Sequence, residues 1–97
     1  MHAQVVRMQI QPGKADEAVD IFKNGVLPAA REQKGFKSAY LLLDREANRG
    51  IGFSLWETEA DLAAIASSGF YQEQIAKFAA VFAAPPEREV YEVASQA

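Results

Sequence analysis

Few side chains in this sequence can do acid–base or covalent chemistry, and their spacing limits what that chemistry can be. Cysteine is absent and the single histidine is His2, beside a terminus prone to fray. A thiolate nucleophile, a sulfur-ligated metal and a Ser-His-acid relay are thereby excluded. Asp16 and Asp20 stand one helical turn apart, as paired metal ligands can, but no histidine is near them. A solvated helix face is the simpler account, and no metal site is expected. No P-loop or dinucleotide-type glycine motif occurs. What remains is mostly aromatic: the only tryptophan, Trp56, with Tyr40, Tyr71, Phe53, Phe70 and Phe78, and beside them Arg7. Such a set suits a cavity for a flat, apolar ligand. Core packing accounts for most of the same residues, and for Trp56 it is the preferred reading.

The elements that must position these side chains can be read from periodicity. Residues 3–10 alternate, with Val6, Met8 and Ile10 on one face and Val5, Arg7 and Gln9 on the other, which predicts a strand. After the Gln11-Pro12-Gly13 turn, Ala15, Ala18, Val19, Phe22, Val26 and Ala30 recur at helical spacing. Pro28 lies inside that pattern and lacks the donor for the Asn24 carbonyl, so the last turn should be kinked. Residues 36–43 and 51–56 predict two strands around a polar loop, 44–50. Thr58 and Asp61 form a capping-box-like start to a helix over 59–66. Ser67-Ser68-Gly69 breaks it, and Tyr71, Ile75, Phe78, Ala79 and Phe82 mark a further helix that Pro85-Pro86 must stop. Residues 89–93 predict a last strand.

The order strand, helix, strand, strand, helix pair, strand is the split βαβ arrangement of a ferredoxin-like α+β domain with a four-stranded antiparallel sheet. With 97 residues, one domain over 1–97 is expected. The net charge is −3 and the ten basic residues are scattered, which leaves no footprint for nucleic acid. The opening MHAQVVRMQI is unlike a signal peptide and no apolar run is long enough to span a bilayer, so a cytoplasmic protein without membrane association is expected.

In this arrangement both helices cover one sheet face, and the other should be polar. Yet the second strand sets Tyr40 and Leu42 opposite Ala39, Leu41 and Leu43, and the third sets Ile51, Phe53 and Leu55 opposite Trp56. Each large side chain left in water forgoes about 1.5–3 kcal/mol. A homodimer, sheet face against sheet face under two-fold symmetry, is the expected cover. Arg7 would then point into the interface and pair with Glu89, Glu92 or a partner carboxylate.

The chain also resembles the antibiotic biosynthesis monooxygenase domain, a dimeric α+β-barrel family. The likeness spans nearly all of it and rests on Gln11-Pro12-Gly13-Lys14, on Leu27-Pro28-Ala29 with Gly35-Phe36, and above all on Ser54-Leu55-Trp56-Glu57-Thr58 leading into Ser67-Ser68-Gly69-Phe70-Tyr71. The resemblance implies cofactor-independent oxygenation of a small phenolic, quinol or polycyclic aromatic substrate, in a cleft between sheet and helices, with no cofactor. A non-catalytic aromatic-binding or stress-related dimer is the alternative. The family's heme-degrading branch would need a histidine at Ile75, an asparagine at Val6 and a tryptophan near Ile65, none of them present. Several quinol-oxidising relatives carry a histidine where this chain has Gly69-Phe70, so no catalytic base is assigned.

Overall fold

The computed structural model describes residues 1–97. Strands β1 (His2–Gln9), β2 (Phe36–Asp44), β3 (Arg49–Trp56) and β4 (Glu87–Glu92) form one antiparallel sheet in the order β2-β3-β1-β4. This is the ferredoxin-like α+β arrangement expected from the element order. Alternation fixes the register: Val6 stands opposite Gly52 and Arg88, while Val5 stands opposite Phe53 and Glu89. A one-residue slip would exchange the two faces of β1.

On the helix side, Val6, Met8 and Ile10 pack with Ala18, Phe78 and Val81 in the main core. Trp56, Leu62 and Ile65 form a second buried cluster, flanked by Phe36 and Phe70. The two clusters lie along one sheet face.

The first helical segment departs from an even α-helix earlier than Pro28 alone suggests. It comprises α1 (Ala15–Ile21), a π-helical turn over Phe22–Val26 and α2 (Leu27–Arg31), with Pro28 in the first turn of α2. Proline cannot donate to the Asn24 carbonyl and its ring crowds that group. The helix widens just upstream, where the Leu27 N–H reaches back to the Phe22 carbonyl. Such wide turns often occur at functional sites, and in this one Phe22 and Val26 line a cleft.

Helix α3 (Glu59–Ser67) starts on Thr58, whose Oγ1 accepts the Asp61 N–H at 3.0 Å. The Asp61 carboxylate reaches toward Lys34 Nζ, 4.0 Å away, so the capping box is only half used. Helix α4 (Phe70–Ala76) is shorter than the apolar stripe predicts. From Lys77 to Val81 the backbone bonds run at three-residue spacing, as from Phe78 N–H to Ile75 O and from Val81 N–H to Phe78 O. Three residues per turn moves the inward position from Ala79 to Val81, which is fully buried while Ala79 is exposed. The segment then meets the end of β1 through an Ile10–Phe82 bridge.

The exit from α2 depends on Gly35, at φ +83°. A Cβ there would lie 2.6 Å from the Asp61 Cβ as well as in a strained backbone region. Gly35→Ala is expected to destabilise the protein by about 1–3 kcal/mol, read as a lower urea midpoint, whereas Gly13→Ala, with open space around it, should pay only the backbone term.

Candidate functional site

Between the sheet's inner face and the helices lies a largely apolar cleft of about 80 Å³. Its floor is low because of small residues: β3 presents Gly52 and Ser54 and β2 presents Ala39, next to Val6 and Met8 of β1. A β-branched residue at Gly52 would meet Met8 and Val6 and fill this space. The roof comes from Phe22 and Val26 of the π-helical turn, Ala30 of α2, Ile65 of α3, and Phe70, Tyr71 and Ile75 of α4, with Phe78 beyond its end. An apolar cavity of roughly 150 Å³ holds one benzene, so even a single ring enters only if some of these side chains give way.

Trp56 is 2% exposed, packs edge-on against Phe36 at 5.5 Å and walls the cleft. Its indole N–H donates to Ser54 Oγ at 2.9 Å. That donor is therefore spent inside the protein, and the ring, not the N–H, is what a ligand would meet. Tyr71 begins α4 and is partly buried. Burial holds its hydroxyl above the usual phenol range, with the Arg88 charge opposing. It is a neutral O–H near neutral pH, a donor and not a base.

Of the residues the sequence suggested, the structure brings Trp56, Tyr71, Phe70, Phe78 and Phe53 to the cleft. Phe53 belongs to both sides: its strand position lies on the open face, and its ring leans on Tyr40 at 6.2 Å. Tyr40 is 53% exposed on that open face, away from the cleft. Arg7 is there too. Its Nε donates to Glu89 Oε1 at 2.7 Å, and the Tyr91 hydroxyl donates to Glu89 Oε2 at 2.6 Å. These two bonds, that from Tyr91 first, hold the Glu89 carboxyl below the usual range.

Two polar residues that line the cleft, and a third that backs them, escape a reading based on aromatics. Gln4 and Gln74 are buried at 9% and 7% exposure and line it. Arg88 of β4 donates from Nε to Gln4 Oε1 at 2.6 Å, and its Cζ lies 5.3 Å from the Tyr71 ring centroid. The signal for Gln4 was present in the alternation, since it is in phase with Val6, Met8 and Ile10. Gln74 stands four residues before Phe78 and shares its stripe. Arg88 falls just before the predicted start of the last strand.

A ferredoxin-like domain with a ligand-type cleft between sheet and helices is thus the class of protein. The sequence profile of the antibiotic biosynthesis monooxygenase family matches residues 1–80. The chain belongs to that family. Solved structures agree on the fold. A protein of unknown function from Nitrosomonas europaea is 23% identical, with a TM-score of 0.78 over 99% of this chain and 91% of that one. SnoaB, a cofactor-independent oxygenase from Streptomyces nogalater, is 16% identical, with a TM-score of 0.78 over 98% and 94%. The ActVA-Orf6 monooxygenase of Streptomyces coelicolor, solved in complex with nanaomycin D, is 20% identical, with a TM-score of 0.74 over 99% and 89%. No curated protein sequence matches. No helix is long and apolar enough to cross a membrane.

Proposed function

We propose that the protein is a cofactor-independent monooxygenase of small phenolic or quinol substrates, working as a homodimer. The observation that carries this reading is the apolar cleft walled by Trp56, with Tyr71, a neutral phenol, among its lining residues, in a chain of this family. In such a reaction a ring carbon of the phenol takes one oxygen atom of O₂ and becomes a carbonyl, and the other oxygen leaves as water. The substrate supplies all four electrons, losing two hydrogens in the process, so no external reductant is required. A dry pocket favours the reaction by admitting oxygen and excluding competing water. The size of the cleft favours single-ring compounds over larger ones.

Among the lining side chains Tyr71 is the only titratable one, and its raised pKa keeps it protonated. Ionisation therefore has to come from the acidity of the substrate itself, helped by donors that stabilise the phenolate. The same observation favours a second reading, a non-catalytic module that binds aromatic ligands.

Oxygen consumption with a panel of phenols and hydroquinones, in metal-free and flavin-free buffer, separates the two. Saturable uptake above buffer is expected. Saturable quenching of Trp56 fluorescence with no uptake across the panel would replace the oxygenase by the binding module.

A further inference from the structure

Two glutamines face the cleft from opposite walls, Gln4 from the sheet and Gln74 from α4, and both are more than nine-tenths buried. Burying an amide without partners is costly, so the fate of each polar atom matters. The Gln4 carbonyl oxygen accepts from Arg88 Nε at 2.6 Å. The Gln74 carbonyl oxygen accepts from Lys77 Nζ at 2.8 Å, and the same ammonium donates to the Gly25 carbonyl of the π-helical turn at 3.0 Å. Arginine and lysine only donate. The side of each amide that faces its cation must therefore be oxygen, and the NH₂ side is fixed by chemistry. Neither NH₂ group has a hydrogen-bond partner in the protein, and each keeps some accessibility to water, since no inaccessible side-chain nitrogen or oxygen lacks a partner.

We infer that Gln4 and Gln74 are the ligand-binding donors of the cleft, that Arg88 and Lys77 are their positioning residues, and that the ligand is a flat ring bearing acceptor oxygens, carbonyl or ionised phenol. The inference rests on the cleft being a ligand site and adds the residues that recognise oxygen in it. Each cation holds its glutamine in one orientation, so little amide freedom is lost on binding. A charged donor on the carbonyl also polarises the amide and strengthens the NH₂ as a donor. An aliphatic guest of the same shape would leave both NH₂ groups unpaired. An oxygenated ring satisfies them, and two amide donors on a phenolate stabilise the ionised form that reaction with oxygen needs.

The test uses duroquinone and durene, the same methylated ring with and without two carbonyl oxygens, in equilibrium dialysis. Duroquinone is expected to bind the wild-type protein more tightly than durene. Gln4→Leu and Gln74→Leu should each lower duroquinone affinity by between about twofold and tenfold while durene affinity holds. Arg88→Met and Lys77→Met should erode the same preference, and Arg88→Lys and Lys77→Arg, which keep a charged donor, should recover it. Nitrogen-edited NMR of the wild-type protein supplies a readout independent of any variant: the Gln4 and Gln74 side-chain amide protons should shift with duroquinone and not with durene. Equal affinity for the two compounds, or a preference that survives the double glutamine substitution, overturns the inference while leaving the cleft a ligand site. If neither compound perturbs the Trp56 indole resonance, the ligand site itself is lost and this inference with it.

Discussion

Trp56→Ala is expected to remove about 3–5 kcal/mol of stability, the range for deleting a large buried aromatic. Small domains have about 5–15 kcal/mol in all, so the variant should lose a large share of its stability. The geometry explains why so much rests on one side chain. Trp56 is the last residue of β3 and 2% exposed. It is the largest member of the cluster with Leu62 and Ile65, and it meets Phe36 edge-on at 5.5 Å. Removing it opens a void between the sheet end and α3 and strips Ser54 Oγ of its donor. Trp56→Phe keeps most of the packing and should cost about a third as much, on the scale of losing one buried hydrogen bond and a few contacts. Urea denaturation followed by circular dichroism, which does not depend on the indole, measures both. A Trp56→Ala midpoint within experimental error of wild type would mean that the ring is a replaceable wall of the cleft and not a structural plug. Activity losses in Trp56→Ala should be judged only after its folded fraction is known; Trp56→Phe is the cleaner probe of the cleft.

The reasons these parts were legible in the sequence differ from the reasons others were not. Strand faces follow from a two-residue period, and Val6, Met8 and Ile10 were placed inward and Arg7 outward by alternation alone. Trp56 and Tyr71 were legible because large aromatics at element junctions have few places to go. The π-helical turn was only half visible: Pro28 announces that a backbone bond is missing, but where the helix absorbs the defect depends on packing against the sheet. Likewise, the three-residue spacing after Lys77 is imposed by the link between Ile10 and Phe82 at the end of β1, a contact between residues far apart in sequence. Arg88 and the two glutamines form their bonds across 84 and 3 positions. Only the second of these is local, and neither amide announces its orientation until a cation is seen beside it. Tyr40 illustrates the opposite error. Its type suits a ligand pocket, but its register opposite Phe53 puts it on the face without helices.

That face carries the second large prediction. Tyr40, Leu42 and Tyr91 are 53%, 52% and 49% exposed. Ile51, Phe53, Leu55 and Val5 lie among them, partly exposed, on the same side of the sheet. A second copy, presenting the same patch, would cover this surface without exposing a new one. The charged cluster at the centre of the face does not oppose it. Arg7, Glu89 and Tyr91 already satisfy one another, so covering them would not strand a lone charge, the case that makes burial most costly. Leu42→Asp changes this balance twice over, because two-fold symmetry places two carboxylates in one apolar interface, where the nearby Arg7 and Arg49 are already paired with Glu89 and Asp44. The dimer dissociation constant is expected to rise at least about a thousandfold, equivalent to about 4 kcal/mol, and light scattering at micromolar concentration should report monomers. Glu46→Ala, in the exposed turn between β2 and β3, should leave the dimer intact. Monomer stability should change little in Leu42→Asp, since the side chain already faces outward in the single chain, so circular dichroism of the folded monomer distinguishes a broken interface from a broken fold. Wild-type protein that is itself monomeric at these concentrations would remove the proposed dimer and leave the open face in need of another partner.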